Sequence, residues 1–129
     1  KVFVKYLSKP ESGWWVIINA RFKTALWVSA QIKICDLAII PVVVKRKGDP
    51  DSGQVIIIRD LLCGKYEVFL QTIEIGGGLR WRCANSQQPI DDMAVCNILK
   101  KEVKFDPDIW ILEIEDPGRR YEFDVPIIN

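Results

Sequence analysis

The sequence predicts a mainly β domain, an antiparallel β-sandwich or alternatively a β-barrel, with one short helix near residues 89–101. Three observations carry this. Apolar and polar residues alternate in several short runs, β-branched and aromatic residues concentrate in those runs, and clusters of Gly, Pro, Asp and Ser separate them. Successive side chains of a strand point to opposite faces, so alternation marks a strand with one wet face, the common condition in antiparallel sheets.

Taken in order, Val2 to Leu7 and Trp14 to Ile18 read as the first strands, with Lys9-Pro10-Glu11-Ser12-Gly13 as the turn between them. The clearest alternation comes next. Leu26, Val28, Ala30, Ile32 and Ile34 face one way and Trp27, Ser29, Gln31 and Lys33 the other, which predicts a half-buried strand. Ile39 to Val44 contains Pro41, which has no N–H for a ladder bond. That strand is expected to lie at a sheet edge, to start after the proline, or to carry a bulge. Val55 to Ile58, Tyr66 to Ile75 and Ile109 to Ile114 are rich in β-branched and aromatic residues. Leu79, Trp81 and Cys83 alternate with Arg80 and Arg82, as Tyr121, Phe123 and Val125 do with Arg120, Glu122 and Asp124. The pattern amounts to about nine strands. Lys47 to Gly53, Gly76-Gly77-Gly78 and Asp116-Pro117-Gly118 supply the remaining turns. Pro89 to Lys101 differs, with proline and acids at its front and lysines at its back. Ile90, Met93, Ala94 and Ile98 sit at helical spacing, predicting a helix that presses that face onto a sheet.

A chain of 129 residues, 49% apolar and 27% charged, suits one domain with one core. Eighteen basic against seventeen acidic residues leave a net charge of +1, without the basic excess that nucleic-acid binding requires. The longest apolar stretch, Leu37 to Val44, falls well short of the roughly 20 residues of a spanning helix, so no membrane span is expected. The chain opens on Lys1, and Lys1 to Leu7 lacks the apolar core of a signal peptide, which reads as a processed, mature form. Cys35, Cys63, Cys83 and Cys96 allow three pairings. A processed start favours an extracellular compartment and one or two disulfides, against the alternative of free thiols acting as small hydrophobes in a reducing one.

Histidine is absent, which removes the commonest general base, nucleophile partner and metal ligand together. With no C-x-x-C pair either, no metal, cofactor or catalytic residue is expected. Ser12-Gly13 and Ser52-Gly53 lack the nucleophile-elbow pattern, and the triple glycine opens no phosphate loop. Glu113, Glu115, Asp116, Glu122 and Asp124 gather acids on one hairpin, the pair chemistry of glycosidases. Lys104, Arg119 and Arg120 share that surface and make it read as a solvated face. Trp27 is the most suggestive residue. Its alternation partners Gln31 and Lys33 would place it on an exposed polar face, so Trp27, Gln31 and Lys33 form the candidate ligand-binding set, suited to sugar stacking or a protein hot spot. Trp81 is assigned to the core.

Two local patterns resemble known families. Gly13-Trp14-Trp15, followed by Val16-Ile17-Ile18-Asn19-Ala20, resembles the G-x-W first-strand signature of lipocalins. That resemblance implies a barrel around a small apolar ligand, with Trp15 plugging its closed end. Ile58 to Val68 is similar to the L-x-x-G-x-Y-x-V turn of immunoglobulin-like and prealbumin-like sandwiches, which implies Ile58, Leu61, Tyr66 and Val68 in the core and Gly64 at the turn. It favours the sandwich and carries no activity.

The expectation is a non-catalytic binding or protein-interaction domain, secreted, whose partner is a protein, a glycan or a small apolar ligand. Alternatives are a lipocalin-like carrier, a carbohydrate-binding module, and an assembly subunit of capsid type that oligomerises when a neighbour completes an edge strand.

Overall fold

The computed structural model describes residues 23–73, 79–85, 88–124 and 127–128. The strands expected at Val2 to Leu7 and Trp14 to Ile18, the Gly13-Trp14-Trp15 pattern and the triple glycine lie outside those residues. The described elements are α1 (Thr24–Leu37), β1 (Val42–Arg46), β2 (Val55–Asp60), β3 (Tyr66–Ile73), β4 (Leu79–Cys83), α2 (Asp92–Phe105), β5 (Trp110–Glu115) and β6 (Ile127–Ile128). They build one mainly β unit whose six-stranded sheet has the order β1-β5-β2-β3-β4-β6. β2 runs parallel to β5 and β4 to β6, and the other neighbours are antiparallel. β1 and β6 stand at opposite ends of that order, so the sheet is not a closed barrel, and among the described residues there is no second sheet to make a sandwich.

The central strand explains why helices flank the sheet. Val55, Ile56, Ile57 and Ile58 are all buried, so β2 is apolar on both faces and needs cover on both. Val55 and Ile57 join Val28 and Cys35 of α1, with Phe69, Trp81, Trp110, Leu112 and Ile114. Ile56 and Ile58 join Val95 of α2, with Val68, Leu70, Ile109 and Ile111. Trp81 is fully buried, as the alternation of β4 requires.

The strand expected at Leu26 to Ile34 is instead helix α1. Its buried residues Val28, Gln31 and Cys35 follow helical spacing, and Leu26, assigned to the core by alternation, is exposed. The usual start signal is missing because the entry is satisfied from elsewhere in the fold. Lys23 makes no side-chain cap; the Thr24 and Ala25 N–H groups donate to the Asp51 and Pro50 carbonyls, and Thr24 Oγ1 donates to Gly53 O at 2.7 Å. The second helix is found where expected but runs on to Phe105, with Asp91 as N-cap accepting from Ala94 N–H. Its inward face is Val95, Ile98, Leu99 and Val103, and Met93 is exposed. Tyr121 to Asp124 pair with no strand, although Tyr121 and Phe123 do turn inward and stack edge to face at 5.0 Å.

β1 realises all three expectations for Pro41. It starts at Val42, it is an edge strand, and its register slips between Val44 and Arg46. Gly64 takes the β2–β3 turn at φ 79°, with Ile58 and Val68 in the core and Leu61 and Tyr66 half-buried. The loop before β2 needs glycine for a different reason. A Cβ on Gly48 or Gly53 would collide with the Asp108 carbonyl oxygen and crowd the Trp110 ring, whose Nε1 donates to Asp49 O at 2.8 Å. Gly53→Ala is therefore expected to cost about 1–3 kcal/mol in urea unfolding. Gly118→Ala, whose Cβ would meet only the Arg120 side chain at 3.6 Å, should stay within about 0.5 kcal/mol of the parent.

Candidate functional site

Arg59 is the penultimate residue of the central strand, on the α1 side of the sheet, and its side chain is only 7% exposed. A guanidinium there needs partners, because an uncompensated buried charge is strongly destabilising. Arg59 Nη1 donates to Glu67 Oε1 at 3.0 Å, and Nη2 donates to Tyr121 O at 3.2 Å. Nε lies 3.4 Å from Asp116 Oδ2, an ion-pair contact without a directed hydrogen bond. The cation also sits over the Phe69 and Phe123 rings, at 5.2 and 5.7 Å from their centroids. Arg119 closes the outer side of Glu67 at 3.3 Å.

Asp116, fully buried, passes this arrangement on to the backbone. Oδ1 accepts from Arg120 N–H and Oδ2 from Tyr121 N–H, both at 2.8 Å. Two consequences follow at α1. The Tyr121 hydroxyl donates to Gln31 Oε1 at 2.7 Å, and the Arg120 guanidinium reaches the end of the helix, donating to Ala38 O at 2.9 Å and Ile39 O at 3.4 Å.

That helix end is the candidate site. Ile39 N–H donates to Asp36 O and Ile40 N–H to Cys35 O, the paired bonds of a helix closed by a left-handed residue. The left-handed position is ordinarily glycine; here it holds Ile39 at φ 58°, a β-branched residue in a conformation such residues rarely adopt. Ile40 beside it is buried, while Ile39 is 84% exposed. Leu37 and, on β1, Val43 and Val44 are exposed as well, and an open depression is lined by Asp36, Ile39, Ile40 and Pro41. Backbone strain thus presents an isoleucine to solvent, next to a strand edge that no other strand pairs with among the described residues.

The structure does not bring Trp27, Gln31 and Lys33 onto one open surface. Trp27 and Gln31, one helical turn apart, turn toward the sheet, and Lys33 is exposed. Trp27 Nε1 donates to Asp124 Oδ2 at 3.2 Å and its ring lies 5.9 Å from that of Trp81, which donates to the other oxygen of the same carboxylate. Gln31 is buried, and its Nε2 has no hydrogen-bond partner. Of the gathered acids, Asp116 and Asp124 are committed to these bonds, and Glu113 faces Lys45 at 3.7 Å. Among the described residues no group of His, Cys, Asp or Glu is placed to hold a metal, and no helix is long and apolar enough to cross a membrane. The expected disulfides are absent. Cys35, Cys63, Cys83 and Cys96 are all free, on α1, the β2–β3 turn, β4 and α2 respectively.

Residues 22–124 match the family DUF1491, described as a protein of unknown function. The chain belongs to the DUF1491 family. A crystal structure of a DUF1491 protein from Caulobacter crescentus CB15 superimposes with a TM-score of 0.71 at 27% identity, covering 83% of this chain and 99% of that one. An NMR structure of a DUF1491 protein from the same organism gives 0.71 and 27% over 84% and 97%. A solution structure of an A. tumefaciens protein shares the fold, with a TM-score of 0.63 at 22% identity over 74% and 86%. None of the curated proteins matches this sequence.

In this DUF1491 domain the buried pair is open to direct tests. Asp116→Asn would turn an amide donor toward one of the donors its two oxygens now accept, and is expected to cost about 3–5 kcal/mol in urea unfolding. Folding also holds two acids protonated. Burial, then the charge of Asp124, pushes the Tyr121 phenol up; burial, then the charge of Asp116, pushes the Cys35 thiol up. The unfolded chain releases these protons nearer the ordinary thiol value of 9.0 and phenol value of 10.0. Their stabilisation is therefore complete below those values and lost as pH rises through the raised ones. The urea midpoint should fall above pH 9.0, and Tyr121→Phe should flatten that decline.

Proposed function

We propose that this domain is a non-catalytic protein-interaction module that engages its partner at the corner where α1 meets β1. The observation that carries this reading is Ile39. An exposed isoleucine held in the left-handed region costs stability without contributing to the core, and strain of that kind is retained where the strained residue has work to do. Leu37 on the helix and Val43 and Val44 on the edge strand are exposed too, and exposed apolar side chains of this kind suit a contact with another protein. The corner is also well positioned, because Arg120 clamps the Ala38 and Ile39 carbonyls from a segment anchored by the buried Asp116.

A glycan-binding role centred on Trp27 draws little support from this geometry, since the indole N–H is occupied by Asp124 and the ring leans on Trp81. A secreted location loses its support from cross-links, because the four thiols are free.

A photo-crosslinking side chain introduced at Ile39 is expected to give a discrete protein adduct in cells, and one at Lys101 on α2 none; no adduct from position 39 overturns the reading. Ile39→Gly gives a second test by separating stability from binding. Relief of the left-handed strain should stabilise the fold by about 1 kcal/mol, raising Tm by roughly 4 °C, while adduct formation from a crosslinker at Val43 declines.

A further inference from the structure

We infer that the partner at this corner is a second copy of the chain, whose β1 adds antiparallel to β1 across a two-fold axis and makes the two sheets continuous. The inference rests on reading the corner as a protein interface and adds the identity of its occupant.

The hydrogen-bond phase of β1 supports it. Glu115 N–H donates to Pro41 O at 2.9 Å, and bonded pairs alternate along an antiparallel ladder, so Pro41 and Val43 bond inward to β5. Val42 and Val44 therefore direct their N–H and C=O groups outward. The donor that Pro41 lacks is an inner one, so the outer edge keeps both N–H groups, and among the described residues no strand pairs with it. The register slip between Val44 and Arg46 confines regular pairing to Val42 through Val44.

Charge then selects the orientation. Near the start of β1 lie the exposed acids Asp36 and Glu115, with Arg120 beside them; at its end come Lys45, Arg46 and Lys47. Lys45 is answered within the chain by Glu113, and Arg46 donates to the Pro107 carbonyl, which leaves Lys47 as the outlying cation of that run. Antiparallel pairing carries the cationic end of each copy to the acidic start of the other, whereas parallel pairing sets like against like. A two-fold axis normal to the sheet keeps both α1 helices on one side of the seam, where Leu37 and Ile39 of each copy would bury their exposed apolar surface. Such a contact is self-complementary and closes at two copies.

The purified chain is expected to show a concentration-dependent monomer–dimer equilibrium in analytical ultracentrifugation, weakening as salt rises. Val44→Pro deletes one outward N–H and no inner ladder bond, and should leave the protein monomeric with its unfolding temperature nearly unchanged. Lys47→Glu, whose effect is counted twice across the axis, should weaken dimerisation about tenfold, and Lys47→Glu combined with Glu115→Lys should restore it. Wild-type protein that stays monomeric to sub-millimolar concentration overturns the proposal. So does a dimer that both Val44→Pro and Lys47→Glu leave intact, or a position-39 adduct within one chain. An adduct to a different protein from a monomeric domain overturns the second copy and leaves the interface standing; no adduct at all overturns both.

Discussion

A single buried charge organises one whole side of this molecule. Arg59 follows four consecutive buried apolar residues on the central strand, where an unpaired cation would be untenable. Glu67, Asp116 and the Tyr121 carbonyl surround it, and its guanidinium carbon lies over two aromatic rings. The net contribution of such a pair to stability is small, because desolvation consumes most of the attraction, but its geometric demand is large. Asp116 must be at the end of β5 with both oxygens filled, which sets the backbone of Arg120 and Tyr121. Those two residues in turn fix where α1 lies and how it ends.

Much of the sheet was legible in the sequence, because a strand buried on one or both faces leaves a mark in side-chain type. β2, β3, β4 and β5 stand where β-branched runs and alternation predicted them, and Pro41 foretold a strand that lies at an edge, starts after the proline or carries a bulge. The region of Leu26 to Ile34 misled for a physical reason. Its apolar residues satisfy a period of two, while Ala25, Val28, Gln31, Ile32 and Cys35 satisfy a helical period just as well, and the deciding polar residue, Gln31, is buried. Nothing local could break the tie, since the helix entry is capped by carbonyls of residues 50 and 51. Tyr121 to Asp124 shows the converse. Alternation there was genuine in the buried Tyr121 and the partly buried Phe123, but the backbone answers to Asp116 rather than to a neighbouring strand.

The candidate site was less legible than the fold, because it depends on a conformation. Leu37 to Val44 stands out as the longest apolar run, and nothing in it shows that a helix closes at Ile39 or that Ile39 is the exposed neighbour and Ile40 the buried one. The split is produced by the left-handed closure of α1, and sequence would flag such a closure only if the residue were glycine. The candidate set of Trp27, Gln31 and Lys33 was built on a face that exists only if that segment is a strand.

Covering both faces of a sheet with helices leaves its edges as the places where backbone groups stay available. In this chain several inward polar groups are engaged in holding the fold: Asp116 and Glu67 on Arg59, Asp124 on two indoles, Tyr121 on Gln31. Most natural edges are blunted by prolines or inward charges. Here the proline falls on the bonded side and the lysines fall beyond the regular pairing, so the two protective devices shorten the edge without closing it. An edge that is short and, among the described residues, unpaired, beside a strained apolar residue, is better suited to one defined contact than to unlimited sheet growth, because too few backbone bonds are on offer to bind any strand that lacks the matching apolar and charged flanks.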